Sequence, residues 1–363
     1  MIQLVLDDSH SAGSLYPFTA TRSAADIRIG ILTIRQKWER LLGIKVRVYE
    51  DAWLETPLPQ DATPVTFAAS IVPSAAFIQQ LQSGTYAADG LLKDSSVRVL
   101  QFPWEIFQFN DWAIREDFVL ITANRRSAPV PPTVQLIGPS AALFIEEGAR
   151  LQHCFINTST GPVYIGKNSE IMEGSTIRGP FALCEEAVVK MGTRIYGATT
   201  IGPSCVVGGE IKNSILFGYS NKGHDGYLGD AVIGEWCNLG AGTSNSNLKN
   251  TAGNVKVWHA PAHSYVDAGM KCGLLMGDYS RAGINTSFNT GTVVGVCANI
   301  AATGIPPKYV PDFSWLVDVS AVYEFEKALK DIGNWKKLKN QSLGEKEIQR
   351  LQHIFERRQT QQA

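Results

Sequence analysis

Between residues 165 and 207 an aliphatic side chain returns at every sixth position: Ile165, Ile171, Ile177, Leu183, Val189, Ile195, Ile201 and Val207. Four places after each lies a mostly small residue, among them Ser169, Ser175, Ala187, Thr193, Thr199 and Cys205. Helices repeat at about 3.6 residues and strands at about 2, so a period of six belongs to neither and marks a repeat architecture. It predicts a prism of stacked coils. Each hexad supplies one short flat strand and one corner, and three hexads close a turn. The aliphatic residue points inward from a face, and the small one fits where the interior narrows. The expected fold is a parallel β-helix.

The phase returns at Ile233 and Leu239, and again at Met276, Ala282, Phe288, Val294 and Ile300. Ile145 and Leu151 fit the first coil or two. The pattern fails at 157–163, 213–228 and 244–270. These interruptions are predicted as corner loops on a rigid rod, where function usually collects.

The flanks follow other periods. Residues 2–6, 45–49, 97–102 and 118–122 read as strands, whereas Ile27, Ile31, Ile34, Trp38 and Leu41 recur at helical spacing up to Gly43. Ser74 is placed to cap a short helix through Leu81. Residues 1–130 are thus expected to form a small α/β domain, 131–305 the rod and 306–363 a helical extension. Pro129, Pro131 and Pro132 mark the linker, and the proline-rich stretch 304–311 is expected to leave the rod. Helical patterns follow at 320–331 and 343–358. Residues 322–363 carry nine Lys/Arg against six Asp/Glu, which suits a solvated face or a mild electrostatic aid for a phosphorylated ligand.

Composition narrows the classes. With 33 basic and 34 acidic residues, nothing pushes the chain toward nucleic acid. No apolar run approaches bilayer length and the first residues lack a secretory pattern, so a cytoplasmic protein without a membrane partner is expected. The six cysteines show no C-x-x-C spacing and read as reduced packing residues.

The interruption at 213–228 carries the candidate chemistry. His224, between Gly223 and Gly226, suits general-base work at neutral pH. Arg194 and Lys212 lie eighteen residues apart, one full turn of three hexads, and are expected to stack on one face. Tyr227 and Asn238 belong to adjacent coils and are expected to converge beside them. Two cations and an imidazole suggest a phosphorylated substrate beside a base. A different class, a zinc site, would need three ligands converging. His259 and His263 are four apart across Ala-Pro-Ala, which reads as a bend, and His153 is distant.

The words G-H-x-x-Y-L-G-D at 223–230 and I-G-x-x-x-N-L-G-A-G-T at 233–243 resemble the acetyltransferase half of a known family. It is the bifunctional UDP-N-acetylglucosamine pyrophosphorylase / glucosamine-1-phosphate N-acetyltransferase family, often called GlmU. The resemblance covers 134–305 and implies a left-handed coil, a homotrimer and acetyl-CoA as cosubstrate. It assigns His224 as catalytic base, Arg194 and Lys212 to the sugar phosphate, and Tyr227, Asn238 and Asn247 to further substrate contacts. Ala241 and Ala302 match coenzyme contacts. The family's Asn-Tyr-Asp-Gly is here Asn247-Leu248-Lys249-Asn250, which leaves the acceptor sugar open.

Leu15-Tyr-Pro17-Phe-Thr19-Ala-Thr21-Arg22 is similar to the L-x-P-L-T word of sugar-nucleotide transferases, and 27–38 resembles an alternate bacterial form with a divergent nucleotidyltransferase-like domain. That resemblance offers Arg22 and Lys37 for a nucleotide's phosphates and Asp7, Asp8 and Asp111 for Mg2+, against ordinary packing and surface charge. The expected activity is N-acetylation of an amino-sugar phosphate, glucosamine-1-phosphate first, in sugar-nucleotide synthesis. Alternatives are a bifunctional enzyme that also uses UTP or dTTP, and a non-catalytic scaffold.

Overall fold

The computed structural model describes residues 2–9, 11, 13–49, 63–85, 95–301, 304–317 and 320–360. From Gln135 the chain winds into a three-sided solenoid with faces of nine, ten and six strands, parallel except at the closing edge of the ten-stranded face. On one face Ile165 pairs with Leu183, Leu183 with Ile201 and Ile201 with Leu216, so the hexad residues stack directly. These side chains are buried and merge into one apolar column down the prism. Burial of each contributes roughly 1.5–3 kcal/mol, and stacking makes the contribution cumulative.

Two of the predicted interruptions stay in the rod. Phe155–Asn157 and Val163–Ile165 are ladder strands, as are Ile215–Gly218, Asn221–Lys222 and Tyr227–Gly229. The hexad phase fails because coil lengths change: at the first, Phe155 pairs with Gln135 and Thr176, twenty and twenty-one residues away, and at the second Val207 pairs with Lys222, fifteen residues on, and Ile211 with Leu228, seventeen on. The third interruption is a true insertion. It carries an antiparallel hairpin, Lys256–His259 with Ser264–Asp267. The proline-rich stretch does not end the rod either. Tyr309–Val310 pairs with Val293–Val294, and Ser314–Leu316 extends the ten-stranded face, whose edge the antiparallel strand Ser320–Val322 covers. An open edge of a parallel stack is a template for further pairing.

The N-terminal domain holds a three-stranded parallel sheet in the order Arg47–Tyr49, Ile2–Asp7, Thr63–Ala68. The helix expected over 27–41 is shorter. Arg28–Ile29 and Leu32–Thr33 pair around Gly30, and the helix Ile34–Leu42 starts from a capping box of Thr33 and Gln36. The strand expected at 118–122 is the end of a helix, Asn110–Thr122, whose Asn110, Ala113, Ile114, Asp117 and Ile121 are buried. Those positions follow a helical stripe, which the β-prone run Phe118-Val-Leu-Ile masks.

This domain does not hang from a linker. Outward residues of the nine-stranded face, including Ile215, Phe217, Val232, Leu275 and Val293, share one continuous core with Leu6, Phe18, Trp38 and Phe77. Asn110 Nδ2 donates to the Ala198 carbonyl (2.9 Å), and the Thr200 hydroxyl to the Gly30 carbonyl (2.9 Å). The nine-stranded face is apolar on both sides because each side packs on protein.

The C-terminal helices Phe325–Lys337 and Glu345–Thr360 cover one corner of the rod. Tyr219, Trp236, Tyr279, Cys297 and Phe313 stack there, each with φ between 50 and 61°. Four of them, Trp236, Tyr279, Cys297 and Phe313, form one buried cluster with Ala328, Ile332, Leu351 and Ile354 of the helices. The Tyr219 and Trp236 rings lie parallel at 4.4 Å. All six cysteines are buried thiols, and burial pushes Cys205 up to about 12. Among the described residues no helix is long and apolar enough to cross a membrane.

Candidate functional site

The residues 223–226 form the corner between the ten-stranded and six-stranded faces, and His224 stands exposed on it. The corner lies directly on the previous coil. A Cβ at Gly209 would meet the His224 carbonyl at 2.9 Å, and one at Gly226 the Thr243 carbonyl at 2.1 Å; both glycines also have positive φ, 78 and 120°. Only glycine fits these two positions. On the following coil the same corner carries Ala241, joined to it by the Gly242 amide donating to the Asp225 carbonyl (3.0 Å). His224 and Ala241 therefore occupy successive rungs of one edge.

The corner is braced from inside by a residue that the sequence reading passed over. Lys222 pairs with Val207 and occupies the slot that the aliphatic residues fill elsewhere. It is fully buried, and its ammonium donates to the carbonyls of His224 (2.6 Å) and Asp225 (3.1 Å). Burial lowers it to about 8. The six-residue count gave no signal for it, because Lys222 lies fifteen residues after Val207 and off that phase.

Side chains flank the edge on two faces. On the six-stranded face Arg194, Glu210 and Tyr227 form one column. The register corrects the expected stacking of Arg194 on Lys212: Lys212 lies over Tyr196, because the intervening coil is two residues short of eighteen. Lys212 Nζ sits 6.0 Å from the Tyr196 ring centroid, and the Tyr196 hydroxyl donates to Glu210 (2.7 Å). Arg194, largely exposed, lies 3.8 Å from Glu210. The two cations thus share a face with a carboxylate between them, which the sequence reading also missed.

Asn238 is on the other face, between Asn221 and Arg281. It flanks the His224 edge from the side opposite Tyr227, so the expected convergence on a single face does not occur. Asn247 joins Tyr227 instead: its amide donates to the Tyr227 hydroxyl (3.1 Å) and to Asp230. Asp230 is buried and also accepts from Asn213 (2.6 Å), which ties the neighbour of Lys212 to the tyrosine. Burial, with Asp230 nearby, holds the Tyr227 hydroxyl protonated and pushes it well up. Beside this face runs a groove of about 770 Å3 lined by Arg194, Tyr196, Glu210, Arg178 and Phe155. Ala302 lies outside the described residues.

The front-end candidates are dispersed. Arg22 is held by Asp278 and by Glu235 (3.1 Å), both on the rod, so its charge serves the docking of the N-terminal domain. Lys37 is buried against Asp117, whose other oxygen takes the amides of Ile31 (2.7 Å) and Leu32 (3.0 Å). Asp7 accepts the Ser9 amide (2.9 Å), and Asp8 accepts from Ser11 (2.7 Å) and the Ala24 amide (3.1 Å). Asp111 pairs with Arg115 (2.6 Å) and lines the groove on the rod. Among the described residues no three His, Cys, Asp or Glu side chains gather as metal ligands. His259 and His263 sit on the hairpin, where the Phe102 and Trp258 rings pack against them.

Residues 3–94 match the family model described as sugar nucleotidyl transferase. The chain is similar to the bifunctional protein GlmU of Synechococcus elongatus, 29% identical over 164 residues, covering 43% of this chain and 32% of that protein. It is also similar to the bifunctional sugar-1-phosphate nucleotidylyltransferase/acetyltransferase of Sulfurisphaera tokodaii, 31% identical over 227 residues, 60% of this chain and 50% of the relative. A third relative, the bifunctional protein GlmU of Methanocaldococcus jannaschii, is 34% identical over 117 residues, 32% of this chain and 26% of that protein. The chain spans half or less of the length of these relatives.

Proposed function

We propose that the solenoid is an acetyl-CoA-dependent N-acetyltransferase acting on an amino-sugar phosphate, with glucosamine-1-phosphate as the first candidate. The carrying observation is the edge where the exposed His224, braced by Lys222, stands beside the Arg194 column and Lys212. In this reading the two cations hold the phosphate, with Arg194 exchanging Glu210 for the ligand. Tyr227, Asn247 and Asn238 orient the sugar. His224 removes a proton from the substrate ammonium. The freed nitrogen lone pair attacks the thioester carbonyl, the C–N bond forms, the C–S bond breaks and the thiolate leaves to be protonated. The Ala241 turn, one rung above, is suited to stabilise the developing oxyanion through backbone N–H groups. General-base help of this kind is worth about 10²–10⁴ in rate.

The same reading takes the working form to be a cytoplasmic homotrimer with a left-handed coil, and divides the chain into 1–130, 131–305 and 306–363, with the last rod strands Tyr309–Val310 and Ser314–Leu316 falling in the third part. Nucleotidyl transfer by the N-terminal domain is the second reading, favoured by the family match over 3–94. The residues do not fit the Mg2+ it would need. Asp8 is committed to Ser11 and Ala24, and Asp111 lies on the rod-side groove. The test is thiol release from acetyl-CoA with glucosamine-1-phosphate, run beside pyrophosphate release from UTP or dTTP with a sugar-1-phosphate. Thiol release abolished by His224→Ala supports the proposal. Silence in both assays leaves the scaffold reading.

A further inference from the structure

The insertion that carries the 256–267 hairpin leaves and rejoins the rod beside one residue, Asp230. Its carboxylate accepts from the Asn247 side chain, where the insertion departs, and its carbonyl accepts the Gly273 amide (2.8 Å), where it returns. The two ends also hold each other, because the Cys272 amide donates to the Asn247 carbonyl (3.0 Å) and Leu248 bridges to Lys271. Toward the previous coil the Asp230 amide donates to the Lys212 carbonyl (3.0 Å), and its other carboxylate oxygen takes Asn213 Nδ2 (2.6 Å). The residue is only 3% exposed.

This wiring fixes the polarity of two side chains. Carboxylate oxygens only accept, so Asn247 must turn its nitrogen toward Asp230. Both hydrogens of that nitrogen are spent, one on Asp230 and one on the Tyr227 hydroxyl (3.1 Å). The atom left to face a ligand is the Asn247 side-chain oxygen. Tyr227 already accepts from Asn247, so its own hydroxyl hydrogen remains to donate, and burial keeps that hydroxyl protonated. The ring lies over Gly229, where a Cβ would meet the hydroxyl oxygen at 2.2 Å. Both side chains are half-buried, which leaves part of each open to a ligand. An acceptor beside a donor does not suit a simple ion: phosphate oxygens accept and an ammonium donates. A hydroxyl does both.

We propose that Asp230 is a positioning residue, holding Asn247 and Tyr227 as an acceptor–donor pair that reads one hydroxyl of the sugar. The inference rests on the reading of the His224 edge as an amino-sugar phosphate site, and adds what selects among such sugars. Plain support of the insertion would also use a buried Asp230. That role would move the melting temperature and leave the choice of sugar alone.

The test is calorimetric titration of the full chain with glucosamine-1-phosphate and with analogues each lacking one hydroxyl, repeated on Asp230→Gly and Tyr227→Phe. Glycine keeps both backbone bonds and adopts the φ of 47° at position 230 without strain. The wild type should bind one analogue at least tenfold more weakly than the parent, because a site built around a hydroxyl rejects its absence. Each variant should shrink that gap at least threefold. If Asp230→Gly melts early, Tyr227→Phe is read by the same criterion. A wild type that binds every analogue within tenfold of the parent overturns the proposal, as does a gap that survives in Tyr227→Phe. No binding of the parent would overturn the amino-sugar reading as well, whereas binding without the gap overturns this inference alone. A gap without thiol release from acetyl-CoA would support Asp230 in this role and count against acetyl transfer.

Discussion

The Lys222 ammonium donates to the His224 carbonyl at 2.6 Å from inside the solenoid, at a slot where every neighbouring coil buries an apolar side chain. A buried cation costs stability unless it is well bonded. Here it is bonded to a corner that presents an exposed imidazole. Its length and its two carbonyl partners fix the path of residues 223–226, so it acts as a positioning residue.

Lys222→Met keeps the length and apolar stem but releases the corner. Acetyl transfer should fall at least tenfold while the melting temperature holds or rises. Unchanged kcat, measured by thiol release, would show that the corner needs no brace.

The same lysine gives a pH signature in stability. Burial lowers it from 10.5 to about 8, so between those values the unfolded chain keeps a proton that the folded chain has lost. Its contribution to stability therefore rises with pH across that window and is at its lowest below pH 8. The gap in melting temperature between wild type and Lys222→Met should shift in favour of wild type from pH 7.5 to 10. A gap independent of pH would argue against a buried ammonium.

Glu210 stands between Arg194 and Tyr196 and competes with any phosphate for the guanidinium. Glu210→Gln should tighten binding of the sugar phosphate, seen as a lower KM, with a smaller effect on kcat. Arg194→Gln should raise KM. If KM is indifferent to both, the phosphate lies elsewhere.

Loss of His224 through His224→Ala should lower kcat by about 10²–10⁴ with the fold intact. Circular dichroism checks the fold, and thiol release checks the rate.

Lys37 and Asp117 form a buried pair under the first helix. Lys37→Met leaves the Asp117 carboxylate uncompensated and should destabilise by about 3–5 kcal/mol. A variant with ordinary stability but weakened nucleotide binding would instead favour a phosphate role for Lys37.

Much of the candidate site could be named before any coordinates, because the word at 223–230 is specific. Its geometry could not. Lys212 sits over Tyr196 because coil lengths shrink after Val207, and Asn238 falls on another face because it lies two strands beyond Tyr227. A ladder fixes partners by hydrogen-bond register, and a count of eighteen loses that register once two residues are dropped. The helix at Asn110–Thr122 was hidden for a related reason. Its Phe118-Val-Leu-Ile run favours strands locally, and packing on the rod overrode that preference.

The sequence alone determined that the chain winds into a stacked prism, since a six-residue aliphatic period can be buried in no other regular way. It also determined that a histidine would stand between two glycines at a corner. Tertiary structure decided which side chains flank that corner, how Lys222 braces it, and that the N-terminal domain fuses to the nine-stranded face through Ile215, Phe217 and Val232. The physical reason is that inward periodicity is a local property of the chain. Register, docking and the pairing of buried charges depend on groups far apart in sequence, and only the folded chain brings them together.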